Sequence, residues 1–165
     1  MSLSAIPKKQ ILVALLVVLV LQVRAQSSVL ATGEWLKICV QQEGIYRLDF
    51  GTLEDYFGSA LNSEDVESLK MYGYGGGPLP QINSQSRFTD IPEIGIARIG
   101  TEDGSFDPGD HILFYAEPVH KIELTAAGNW QINPNIYSDQ NCYFLTIGGS
   151  SGKSIAPLEK AVKGG

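Results

Sequence analysis

The residues best suited to chemistry lie between Thr101 and Pro118, TEDGSFDPGDHILFYAEP, where Glu102, Asp103, Asp107 and Asp110 crowd a Gly/Ser/Pro turn. Asp103, Ser105 and Asp107 alternate at i, i+2 and i+4, as oxygen ligands do around a hard cation, and Asp110 adds a further carboxylate. The chemistry would be calcium binding by Asp103, Ser105, Asp107 and Asp110. The EF-hand template does not fit, because Pro108 stands where Gly is required and Phe114 where the bidentate Glu belongs. A structural turn is the competing reading: Asp and Ser bond their own backbone in turns, and Asp107-Pro108-Gly109 is a strong turn former. Asp107 and Asp110 could also serve a small secreted hydrolase as paired carboxylates, although the turn offers no apolar pocket to keep one of them protonated.

Other catalytic chemistries find less support. The chain has only His111 and His120, with no CxxC or HxxxH spacing for zinc. His111 reads as a packed or surface residue at a strand edge. No G-x-S-x-G elbow occurs. The loop Gly73 to Pro80, GYGGGPLP, lacks the spacing of a phosphate-binding loop. It reads as a turned or flexible connection, whose functional alternative is to let another backbone approach closely. For Cys39 and Cys142 a disulfide, two buried inert thiols and a catalytic thiol are all open, and buried thiols are favoured.

The first segment sets the compartment. Lys8 and Lys9 precede an unbroken apolar run of 11 residues, Ile11 to Leu21, and Val23-Arg24-Ala25 offers a cleavage site before Gln26. This is the layout of a secretory signal peptide over residues 1–25. A spanning helix needs about 20 apolar residues, and Arg24 arrives too soon, so no transmembrane helix is expected after cleavage. Export to the periplasm, the outer-membrane surface or the medium follows. Removing residues 1–25 takes away Lys8, Lys9 and Arg24 and no acid. That leaves 9 of the 12 basic side chains against 18 acidic ones, a formal charge of −9. No basic patch survives, so nucleic acid is not an expected partner.

The elements that must position these residues are mostly strands. Glu34 to Val40 alternates, with Leu36, Ile38 and Val40 on one face; Ile45 to Phe50 alternates again, and the two read as a hairpin across Gln41 to Gly44. Thr52 to Asp55 has the form of a capping box, so a short helix should begin there and stop at Gly58. A second helical turn is expected from Ser63. Strands follow at Ser68 to Tyr72, Glu93 to Ile99 with Gly95 as a bulge or close-approach site, Asp110 to Ala116, Lys121 to Thr125 and Cys142 to Ile147. Gly128 to Tyr137 reads as a loop anchored on the core by Trp130 and Tyr137. Many turns and few helices argue for one mainly β, antiparallel, sandwich-like domain over residues 28–150, with residues 151–165 a flexible tail or linker.

Several phrases in order carry a resemblance: SVLATGEWLKI from Ser28, GIYRL from Gly44, MYGYGGG from Met71, Glu102 to Tyr115, IYSD from Ile136 and YFLT from Tyr143. Together they resemble the N-terminal region of the type IX secretion sortases, gingipain-like cysteine peptidases of Gram-negative outer membranes, over residues 28 to about 150. The resemblance implies a protein that removes the sorting domain of secreted cargo, transfers the cargo to an anionic lipopolysaccharide and works with an outer-membrane barrel. It also implies that the catalytic Cys and His lie downstream, so Cys39, Cys142, His111 and His120 inherit no catalytic role. The chain is then expected to be a non-catalytic accessory domain, a fragment or a solitary copy. It would act by contacts with a gingipain-like peptidase domain and outer-membrane secretion components. An independent calcium- or glycan-binding surface module, using the acidic turn and Tyr72, Tyr74 and Trp130, is the alternative.

Overall fold

The computed structural model describes residues 27–155 and Lys9, so the signal-peptide segment and residues 156–165 lie outside the described residues. The chain divides into two compact units, 1–31 and 32–165. The first shows one short 3-10 turn, Val29–Ala31. All that follows concerns the second.

That unit is mainly β, built as two antiparallel sheets around one core. The first sheet has the order β1 (Leu36–Val40), β9 (Asn141–Thr146), β3 (Lys70–Tyr72), β4 (Glu93–Ile94); the second has β2 (Gly44–Asp49), β6 (His111–Ala116), β5 (Ala97–Ile99). Period-two alternation decides which side chains meet between them. Leu36, Ile38 and Val40 of β1 and Tyr143 and Leu145 of β9 turn inward to face Ile112, Phe114 and Ala116 of β6. The Phe114 and Tyr143 rings sit 5.2 Å apart at the centre. The expected core face of β1 is realised, and β6 lies at the centre of its sheet.

The expected hairpin over residues 34–50 is not formed. β1 pairs with β9, Leu36 opposite Leu145 through Val40 opposite Asn141, whereas β2 pairs with β6. Alternation fixes the buried face of a strand but not its neighbour. Here Gln41 to Glu43 carries the chain from one sheet to the other.

The register places Cys39 directly opposite Cys142, and the two form a disulfide with Cα atoms 4.1 Å apart. This corrects the expectation of buried thiols. The sulfurs leave from the outward faces of both strands, because the inward positions are taken by Val40 and Tyr143.

The run Glu93 to Ile99 is one segment serving both sheets. Its first half, β4, pairs with β3, and its second half, β5, pairs with β6. Strands that switch sheets make the corners of sandwiches. At the corner Ile96 is fully buried, and residues 153–155 run alongside: Ile96 N–H donates to the Lys153 carbonyl at 3.1 Å and Ile155 N–H to the Ile96 carbonyl at 2.9 Å. A Cβ on Gly95 would meet Ile155 Cγ1 at 3.0 Å, so Gly95 is the expected close-approach site. The opening of the segment read as a flexible tail, 152–155, is therefore tied to the domain.

The helix after β2 is α1 (Phe50–Phe57), two residues earlier than the capping-box reading placed it. The Asp49 carboxylate is engaged by Arg47 and makes no capping bond, and the Phe50 N–H donates instead to the Asp110 carbonyl at 3.1 Å. Leu53 and Phe57, four residues apart, are buried in the core, and Gly58 ends the helix at φ +53°. A second short helix, α2 (Ser59–Ser63), and a 3-10 turn, Val66–Ser68, lead into β3.

Arg98 of β5 reaches that turn. Its side chain is 3% exposed and donates to the carbonyls of Val66, Glu67 and Leu69 at 3.1, 3.0 and 2.7 Å, with the Glu67 carboxylate 3.7 Å from Nη1. The Val66 carbonyl also accepts from the Leu69 N–H at 3.3 Å and the Glu67 carbonyl from the Gly152 N–H at 2.8 Å, and the guanidinium fork adds several donors at fixed angles. Arg98→Met is expected to cost about 1–3 kcal/mol by removing these hydrogen bonds. Arg98→Lys should recover little of it; urea unfolding of the three proteins measures both. The Cys39→Ser/Cys142→Ser double variant is expected to lose about 2–4 kcal/mol, as for a cross-link closing a long loop, while keeping native circular dichroism.

Candidate interaction surface

The acidic turn is held by its own side chains. Asp110 Oδ2 accepts from the Asp107 N–H at 2.7 Å, the Asp110 N–H donates to the Asp107 carbonyl at 2.9 Å, and Asp103 Oδ1 accepts from the Ser105 N–H at 3.0 Å. Phe106, between them, is buried and stacks at a tilt 6.0 Å from Phe50. Glu102, Asp103, Ser105 and Asp107 are exposed. Among the described residues no three His, Cys, Asp or Glu side chains gather to hold a metal ion. Asp107 lines a hollow of about 140 Å³ beside Asn62 and Glu64, below the roughly 300–1,000 Å³ of small-molecule sites. Asp110→Ala is expected to cost about 1–2 kcal/mol through the lost charge-assisted bond to Asp107 N–H, and millimolar calcium should not restore the melting temperature of the variant.

The histidines stand apart. His111 begins β6 opposite Asp49 and Ile99, with its Nδ1 buried and without a hydrogen-bond partner. His120 is exposed, and its Nδ1 accepts from the Asn135 N–H at 3.1 Å.

The glycine loop lets a backbone approach closely, and that backbone is the chain's own. A Cβ on Gly76 would lie 2.4 Å from the Pro118 carbonyl oxygen, and one on Gly73 2.4 Å from the Tyr143 ring. Gly76 N–H donates to the Glu117 carboxylate at 2.9 Å and Gly77 N–H to the Pro118 carbonyl at 3.2 Å. The Glu117 N–H in turn donates to the Tyr143 hydroxyl at 2.8 Å, whose pKa burial raises above the usual tyrosine range. The loop thus pins the segment that opens into the next element.

That element is a hairpin of β7 (Lys121–Leu124) and β8 (Trp130–Asn133), paired with no other strand among the described residues. The expected loop over Gly128 to Tyr137 therefore contains a strand. The Thr125 N–H donates to the Asn129 carbonyl at 2.8 Å across the turn, and Gly128 takes φ +79°, a conformation that favours glycine. Cross-strand pairs Ile122–Ile132 and Leu124–Trp130 alternate with Lys121–Asn133 and Glu123–Gln131. One face of the hairpin is therefore wholly apolar and the other polar.

The polar face is the one turned toward the body. Lys121, Glu123 and Asn133 line a hollow of about 700 Å³ together with Leu79 and Ile82 of the preceding loop, and Lys121 pairs with Glu123 at 2.6 Å. The apolar face looks outward, with Ile122, Leu124, Trp130 and Ile132 exposed by 59, 58, 74 and 65%. This inverts the usual solvated hairpin, and contiguous apolar surface of this kind marks interaction sites. Trp130 and Tyr137, expected as core anchors, are both exposed. Nor do Tyr72, Tyr74 and Trp130 share a role: Tyr72 packs edge-on against Trp35, Tyr74 lines a cleft with Arg87 and Tyr137, and Trp130 belongs to the hairpin. No helix among the described residues is long and apolar enough to cross a membrane.

No protein-family model and no curated protein matches the chain. Among solved structures it is similar to the crystal structure of dimeric latent PorU from Porphyromonas gingivalis, with 30% sequence identity and a TM-score of 0.57. The fold is PorU-like. The similarity covers 72% of this chain and 10% of that one, so the chain spans about a tenth of the length of the PorU structure it matches.

Proposed function

We propose that this chain is a non-catalytic accessory domain of a type IX secretion, sortase-like system. It is exported by the segment 1–25 and acts through protein–protein contacts with a gingipain-like peptidase domain and outer-membrane secretion components. The observation that carries the reading is the outward apolar face of β7–β8 on a domain whose fold is PorU-like. A two-stranded ribbon is marginal on its own in water, and covering four large apolar side chains with a protein partner would stabilise it. Aromatic and aliphatic anchors of this kind dominate binding energy at interfaces. Two further features support the reading. The Cys39–Cys142 bridge suits an oxidising, exported compartment. The same bridge occupies both cysteines, so neither offers a thiolate nucleophile while it stands.

The test mixes the purified chain with the peptidase region of PorU and measures association by calorimetry. Trp130→Ala and Ile132→Asp alter exposed side chains, so both should melt like the parent while binding at least about tenfold more weakly. Equal binding by both variants would contradict the role of this face. Thiol-dependent peptide cleavage by the chain alone would overturn the accessory reading.

A further inference from the structure

We infer that the Cys39–Cys142 bridge is a thiol–disulfide exchange site that operates in the folded domain, and that its partner is a dithiol reductant of the Cys-x-x-Cys class attacking Cys39. Structural disulfides resist reduction, whereas exposed ones are the labile ones. This one lies on the outer face of its sheet, and three features make it reachable.

The first is position. Among the described residues β1 is an edge strand paired with β9 alone, and Cys39 is solvent-exposed on it. The second is space. Cys39 borders an open hollow of about 470 Å³ with Gln41, Gln42 and Gln140, and Cys142 borders a separate cleft of about 600 Å³ that includes Phe144 and Tyr137. The hollow beside Cys39 gives an incoming thiolate room on that side of the bridge. The third is charge. Lys37 projects from the same outward face of β1, two residues away, and is exposed. A nearby ammonium favours the thiolate form of a cysteine.

A thiolate of the reductant attacks Cys39 Sγ, the Cys39–Cys142 bond breaks, and its electron pair leaves with Cys142, which takes a proton from water. The second thiol of the reductant, deprotonated, then attacks its own sulfur in the mixed disulfide. This releases Cys39 as a thiolate beside Lys37, and that thiolate is protonated in turn. The domain gains two electrons and two protons as two thiols, and the reductant is oxidised to its disulfide.

The reduced domain should stay folded. β1 keeps its ladder of five residue pairs with β9, and its inward residues, Val40 above all, remain in the core. What reduction releases is the covalent hold at the end of β1, where Gln41 to Glu43 passes to the other sheet. The exchange is therefore a switch on one edge strand and on the crossover that follows it.

The experiment incubates the full chain with glutathione and with reduced thioredoxin under native conditions, traps thiols with iodoacetamide and maps the products by mass spectrometry. The expected result is a mixed disulfide with glutathione on Cys39, a rate of reduction within about tenfold of that in denaturant, and an unchanged near-ultraviolet dichroism spectrum after reduction. Lys37→Gln should slow release of the reductant from Cys39 a few-fold without changing the melting temperature. An adduct confined to Cys142 overturns the inference. So does reduction that proceeds only at the rate of global unfolding, or loss of the near-ultraviolet signal once the bridge is open.

Discussion

The joint between the two sheets depends on Arg98. The segment Glu93 to Ile99 enters the first sheet, turns at Gly95 and Ile96 and leaves in the second, so the sheets share a corner there. A corner has few ladder bonds to hold it. The Arg98 guanidinium compensates by binding three carbonyls of the turn that precedes β3. A buried cation is costly unless its donors are satisfied, and here most are, with the half-exposed Glu67 carboxylate beside the remaining nitrogen. One side chain thus ties the second sheet to the turn that leads into β3 of the first. Residues 152–155 close the same corner from outside, and Gly152 fits because a Cβ there would meet the Leu69 carbonyl oxygen at 2.3 Å.

With that joint fixed, the domain separates into a scaffold and a projecting part. The scaffold satisfies most of its own polar groups, with Arg98 Nη1 and His111 Nδ1 the buried exceptions among the described residues. The acidic turn spends the Asp103 and Asp110 carboxylates on its own backbone, the glycine loop spends N–H groups on Glu117 and Pro118, and Tyr143 joins the core to that segment. The hairpin β7–β8 leaves its apolar face unspent. The contrast is what gives the domain a direction: a packed body carrying a hairpin whose apolar face has no partner among the described residues.

Much of the scaffold was legible in the sequence because alternation reports burial directly. Leu36, Ile38 and Val40, the stop at Gly58 and the central strand through Phe114 all follow from local pattern. What alternation does not report is pairing. The adjacent runs 34–40 and 45–50 looked like a hairpin, yet each found a more apolar partner farther along the chain. The disulfide was hidden for the same reason, since only the β1–β9 register brings Cys39 opposite Cys142. Trp130 shows a different limit. A large aromatic residue near a loop is ordinarily a core anchor, and only the pairing of β8 with β7 reveals that its face points away. The signal was present in Ile122, Leu124, Trp130 and Ile132, whose spacing marks one apolar face once the hairpin is drawn.

The most direct measurement is amide hydrogen exchange of the full chain, alone and with the peptidase region of PorU. Slow exchange is expected throughout β6 and β9, fast exchange of β7–β8 in the free chain, and new protection concentrated at Ile122 to Leu124 and Trp130 to Ile132 in the mixture. Protection that instead falls on the acidic turn or on α1, with β7–β8 unchanged, would contradict that expectation.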